Sequence, residues 1–181
     1  EYCRLYPAVS LDLILDNRKI DLVAEGVDLA LRVSSVDLPP TLIVRPLSEI
    51  VFYLVGETEY LQRHGTPATP QEILTYNFVQ ASYVDMEHIK ISRDGEHFTL
   101  TPNSTIRADN TPMVREMVLA GGGLGYLPAW TVKRDLDSGR LVRLLPEWRI
   151  PSATLYAAYA DRAFLSAKIR SFIDFLVEKI K

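Results

Sequence analysis

Between Asp16 and Ser34 the chain reads as polar cap, helical apolar spacing, glycine stop, then a near-continuous apolar run. Asp16 or Asn17 can cap a helix, Ile20, Val23 and Ala24 would line one face of it, and Gly26 supplies the left-handed exit. The pattern predicts a short helix over about 18–25. From Val27 to Val33 only Asp28 and Arg32 interrupt the apolar residues, as in a strand covered on both faces. In Val9 to Leu15, Val9, Leu11, Leu13 and Leu15 alternate with Ser10 and Asp12, so a strand is expected there as well. Two strands joined by so short a helical crossover are expected to be parallel neighbours with a right-handed connection, and a ligand crevice is expected at their C-terminal ends.

The rest of the chain continues in the same alternating style. Pro39-Pro40 forces an extended path out of the loop 34–41, and strand-like runs follow at 42–47 and 51–55. Gly56 is a candidate hinge. A short helix is expected over 58–64, and Thr69-Pro70-Gln71-Glu72 is a capping box with proline at its first helical position. Asn77–Ala81 reads as a strand, Asp94-Gly95 between 89–92 and 97–101 as a hairpin, and Ile106–Ala108 as another strand. Thr111 is expected to cap a helix with Pro112 at N1, its apolar face carrying Val114, Met117 and Val118. After the glycines come a strand end at Tyr126–Pro128, a helix around 132–136 and a strand over 141–145. A strand over 154–159 is expected to return beside Val51–Val55. The last helix, 166–180, places Ile169, Phe172, Ile173, Leu176 and Ile180 on one face.

The 181 residues are 48% apolar and 24% charged, a globular composition with enough chain for one domain or two small lobes. Twenty basic and 23 acidic residues leave a formal charge of -3, which provides no general attraction for nucleic acid. Cys3 is the single cysteine, so an internal disulfide is excluded, and a reducing, cytoplasmic setting fits. No apolar run is long enough for a membrane helix.

Glu25-Gly26 followed by Asp28-Leu29-Ala30-Leu31-Arg32, taken with Tyr6-Pro7, Tyr60-Leu61, His64-Gly65 and the run Gly121 to Pro128, resembles the effector-binding part of LysR-type transcriptional regulators. The order and spacing of these pieces carry the resemblance across nearly the whole chain. It implies an α/β fold of two Rossmann-like lobes, as in type II periplasmic binding proteins. Lobe I would comprise residues 1–56 and 157–181, and lobe II residues 57–156. It further implies that a first strand, most of a first helix and a winged helix-turn-helix precede Glu1 in the parent protein. DNA would then be bound only through that missing domain, and the effector domain would form a homodimer or higher homo-oligomer.

Two strand-to-helix loops are candidate ligand contacts. In Asp109-Asn110-Thr111-Pro112, backbone N–H groups with the Asn110 and Thr111 side chains suit a carboxylate or other polar group, although Thr111 as a simple helix cap is the competing reading. In the first lobe the resemblance implies contacts from Asn17, Ser34 and Ser35. Arg32, near the end of its strand, is either a bidentate carboxylate clamp or, as is more usual, paired internally with an acid. Tyr83 offers an aromatic wall, and Pro128 ends a strand near the same edge, followed by Trp130, a core candidate. A polar or anionic small molecule in the cleft between the lobes is the expected effector.

The run Gly121-Gly122-Gly123-Leu124-Gly125 invites a dinucleotide reading, but the glycines follow a helix and precede a strand, and Tyr126 occupies the final glycine position. A helix C-cap with close packing explains them instead. His64, His88 and His97 lack metal-ligand spacing, and no Gly-x-Ser-x-Gly elbow or convergent acid–base set is present, so neither metal, cofactor nor enzyme activity is expected. A periplasmic solute-binding protein is the alternative that shares the fold.

Overall fold

The computed structural model describes residues 1–16, 18, 21–34, 42–82, 88–160 and 166–180. In order the elements are α1 (Tyr2–Leu5), β1 (Ala30–Ser34), β2 (Leu42–Ile50), β3 (Phe52–Glu57), α2 (Thr58–His64), α3 (Pro70–Ile73), β4 (Phe78–Ala81), β5 (Ile89–Arg93) and β6 (Glu96–Leu100). They continue with β7 (Ser104–Ala108), α4 (Thr111–Leu119), β8 (Leu124–Pro128), α5 (Ala129–Asp137), β9 (Leu141–Leu144), β10 (Ala153–Ala160) and α6 (Ala167–Lys179). They form two compact units, Glu1–Ile50 with Ala153–Lys181, and Val51–Ser152. The division falls before β3 and before β10, not at 56/57 and 156/157, because each of these strands pairs wholly within one unit. Gly56 is not a hinge but lies inside β3, where a Cβ would stand 3.0 Å from the Leu124 and Leu61 side chains.

The first unit is built on an antiparallel sheet in the order β1-β10-β2. Several expectations fail here. No strand forms over residues 9–15, and Leu13, Ile14 and Leu15 are exposed. Alternation fixes which side chains share a face, but a strand exists only where another edge accepts its hydrogen bonds. The parallel strand-helix-strand unit is therefore replaced by β1 running antiparallel to β10, with Ala30 opposite Ala158 and Ser34 opposite Thr154. Leu31 and Val33 are exposed, so β1 is not covered on both faces. The expected helix over 18–25 is a single turn in its described part. Asp21 caps it, its carboxylate accepting from Val23 N (2.9 Å) and Ala24 N (3.2 Å), and Gly26 leaves it at φ +67°. Asp16 accepts from the Arg18 backbone N–H and guanidinium, and Asn17, the other cap candidate, lies outside the described residues. β10 returns beside β2, with Ala158 opposite Val44, and not beside Val51–Val55. On α6 only Ile173 is fully buried, and Phe172 and Phe175 pack at 4.9 and 5.3 Å around the ring of Tyr2.

The second unit follows the sequence reading more closely. Its five-stranded sheet has the order β7-β4-β8-β3-β9, with β4 parallel to β7 and β8, and β3 antiparallel to β8 and β9. Adjacent residues divide between its faces, as the period of a strand requires. Leu54, Phe78, Leu124 and Leu144 pack with Tyr60, Leu61 and Ile73 and with the hairpin residues Ile89, Ile91 and Leu100. Val55, Val79, Leu127 and Leu141 pack with Val114, Val118 and Val132 from α4 and α5. The hairpin turns at Asp94 and Gly95, both at positive φ, as the Asp-Gly pair predicts. Thr69 accepts from Glu72 N, while the Glu72 carboxylate reaches back to Ala68 N, a capping box displaced by one residue on its return side.

Candidate functional site

The sheet register of the second unit brings three of the predicted residues to one edge. Ala81 lies opposite Ala108 in the parallel pair of β4 and β7, and Ser82 N donates to Ala108 O at 2.8 Å. β8 also runs parallel to β4, so Asn110 and Thr111 after β7 and Pro128 at the end of β8 stand at the same C-terminal edge. In open α/β sheets that edge, with its helix starts, is where ligands are held. Tyr83 lies outside the described residues.

Asn110, not Thr111, caps α4. Its Oδ1 accepts from Met113 N at 2.8 Å and its Nδ2 donates to Asp109 Oδ1 at 2.9 Å. Thr111 is the first helical residue and Pro112 follows it. The Asn110 side chain, one residue earlier, is placed to reach the N3 donor, which settles the cap. Asp109 adds a carboxylate beside the same helix start. At α5 the arrangement differs. Pro128 precedes the helix with no side-chain cap, its carbonyl accepts from Thr131 Oγ1 at 2.6 Å, and Ala129 N donates to Val51 O. Trp130 is 70% exposed, so it is not a core residue.

In the first unit Arg32 forms no ion pair with an acid among the described residues. Its Nη1 donates to the Arg18 carbonyl at 3.0 Å, tying the Arg18 backbone to β1. The Asp16 carboxyl is held below its usual range, first by the Arg18 guanidinium, then by the Arg18 backbone N–H, with the positive field of Arg32 adding to both. Ser34 closes β1. Asn17 and Ser35 lie outside the described residues. A groove of about 360 Å³ in this unit is lined by Tyr6, Ala167, Arg170, Ser171 and Asp174, and contains none of the predicted residues.

The glycine run follows α4 and precedes β8, as its order in the sequence indicated. Gly121 and Gly123 have φ of +77° and +142°. Gly122 N and Gly121 N close the end of α4 on Met117 O and Val118 O, so these N–H groups are spent on the helix end and not on a phosphate. Among the described residues no three His, Cys, Asp or Glu groups converge as metal ligands, and no helix is long and apolar enough to cross a membrane.

Two features escaped the sequence reading. Phe52 and Tyr126 stack at 4.7 Å with ring planes 11° apart, and burial pushes the Tyr126 phenol up to about 12. Asp135 is fully buried and held by Arg115, twenty residues before it on another helix, and by Arg140, five residues after it.

Comparison with known proteins agrees with the fold. The LysR substrate binding domain family matches residues 1–181. The probable HTH-type transcriptional regulator LtrA of Klebsiella pneumoniae is 32% identical over 180 residues, covering 97% of this chain and 58% of that protein. The HTH-type transcriptional regulator PtxR of Pseudomonas aeruginosa is 28% identical over 180 residues, covering 99% and 57%. The chain thus spans a little over half the length of these relatives. Among solved structures, the regulatory domain of CrgA, a LysR-type transcriptional regulator from Neisseria meningitidis, superposes with a TM-score of 0.85 at 25% identity, covering 99% of this chain and 88% of that one. Full-length AphB of Vibrio cholerae gives 0.84 at 23% identity over 99% of this chain and 61% of its own, a likeness of fold. These relatives are named as transcriptional regulators, which does not favour the solute-binding alternative. The chain belongs to the LysR substrate-binding domain family.

Proposed function

We propose that this chain is the effector-sensing and self-associating part of a bacterial transcription factor that binds DNA through a separate N-terminal domain and works in the cytoplasm without catalysing a reaction. The observation that supports it most directly is the shared edge of the second unit, where the loop 109–112 and the start of α5 both follow parallel strands. A small polar effector would meet the Thr111 region and Pro128 there. From the first unit the proposed effector contacts are Asn17, Arg32, Ser34 and Ser35. Asp109 makes the α4 loop better suited to a hydroxyl or amide of the effector than to its carboxylate, because like charges repel at close range. An anionic group would instead favour the side of Arg32 and Arg18. An effector preference of about 1–3 kcal/mol between two states of the assembly suffices for the usual range of coupling.

The test is a thermal-shift screen of the full-length protein against small hydroxy acids, aromatic acids and amino acids. The reading expects stabilisation by one chemical class and its loss in Thr111→Ala and Arg32→Ala. A folded protein that binds its promoter but shifts with no compound would remove the support for these residues.

A further inference from the structure

Asp135 stands apart from every other described charge in the second unit. Its side chain is fully buried, and among the described residues it is the one polar or charged residue in the buried core. Arg115, in the middle of α4, approaches it side-on, with Nε donating to Oδ2 at 2.6 Å and Nη2 to Oδ1 at 2.8 Å. Arg140, at the approach to β9, donates its Nη2 to Oδ1 as well. The Arg140 backbone closes on the same turn, with its N–H on Asp135 O at 2.9 Å.

Stability alone is a weak reason for this arrangement. Removing a carboxylate and a guanidinium from water consumes most of what their attraction returns, and apolar residues of similar volume often serve the core as well. Direction is what the ion pair adds. The apolar contacts between α4, α5 and the sheet include Val114, Val118 and Val132 with Val55, Val79 and Leu127. Such contacts are non-directional and tolerate sliding of one helix along the other, whereas a two-point guanidinium–carboxylate fork has one favourable offset. Both helices begin at the same sheet edge, because β7 and β8 both run parallel to β4. Whatever sets their offset therefore sets the distance between Thr111 and Pro128.

We propose that Asp135 is a positioning residue: bracketed by Arg115 and Arg140, it locks α4 against α5 and so fixes the spacing of the two helix starts at the candidate effector edge. The value of that spacing for ligand recognition rests on the function proposed above; the lock itself does not.

The experiment measures the offset directly and uses no ligand, so its outcome is independent of the effector screen. Nitroxides are attached at Met113→Cys and Trp130→Cys, both exposed near the two helix starts, in full-length protein with its native cysteines, Cys3 included, replaced by serine. Distances are read by double electron–electron resonance. The native triad should give one narrow distribution, and Asp135→Asn, folded by circular dichroism, should broaden or shift it. The second variant, Arg115→Met with Asp135→Leu, replaces the ion pair by apolar volume and separates stability from alignment. It should unfold at a temperature close to the native one and still lose the narrow distribution. A narrow, unshifted distribution in either folded variant would overturn the proposal. Failure of both variants to fold would overturn it too, since the triad would then be a requirement of the core and not a setting of its alignment.

Discussion

Alanine at Gly123 should be among the most damaging small substitutions in the second unit, and the structure supplies the size of the effect. Gly123 has φ +142°, which L-residues with a Cβ rarely adopt, and holding alanine there costs about 1–3 kcal/mol. The added Cβ would also lie 2.4 Å from the Asn77 carbonyl oxygen and 2.9 Å from its carbonyl carbon. Asn77 cannot easily retreat. Its carbonyl accepts from Leu124 N at 2.8 Å, its Nδ2 donates to Gly122 O at 2.6 Å, and its Oδ1 accepts from Thr105 N and Oγ1. Relieving the clash means stretching about two of these bonds, at about 1 kcal/mol each. The sum is roughly 3–5 kcal/mol, in the range reserved for a few specific mechanisms. Gly95→Ala is the internal control: φ is +86°, but nothing lies within 4 Å of the added atom, so only the backbone term of about 1–2 kcal/mol applies. Urea unfolding followed by circular dichroism, with both variants compared at equal m-values, measures the difference. Equal losses for Gly123→Ala and Gly95→Ala would refute the argument that close approach, and not backbone conformation alone, dictates this glycine.

Two further outcomes follow from single contacts. Asn110→Ala removes the acceptor that caps α4 and should lower stability by about 1 kcal/mol in the same assay, while Asn110→Asp should keep most of it. Tyr126 has a folded-state pKa raised to about 12 against about 10 in the unfolded chain, so its contribution is complete below pH 10 and is lost as the pH rises through 12. Native protein should lose on the order of 2 kcal/mol more than Tyr126→Phe between pH 10 and 12, and the absorbance titration at 295 nm should lose a late-titrating phenol in that variant.

The second unit was largely legible before its structure was known because its signals are local. Asp94-Gly95 demands a hairpin, Thr69 to Glu72 a helix start, and the helix-glycine-strand order at 121–125 a tight exit from α4, whatever surrounds them. The first unit was misread for the opposite reason. Residues 9–15 carry the alternation of a strand, yet pairing depends on which edge is within reach, and β1 found β10, more than a hundred residues away. At α4 the cap lies at Asn110 and not at Thr111, because neighbouring polar side chains could each reach the same free N–H groups.

The amino-acid sequence by itself determined the α/β alternation, the family, and the glycine and turn positions, since these rest on backbone geometry and short-range hydrogen bonds. Only the tertiary structure decided which strands pair, where the two units divide, that Trp130 faces solvent and that Asp135 sits buried between two arginines. Most of those outcomes depend on contacts between residues distant along the chain, and no periodicity or spacing encodes the partner that a charge or a strand edge will meet.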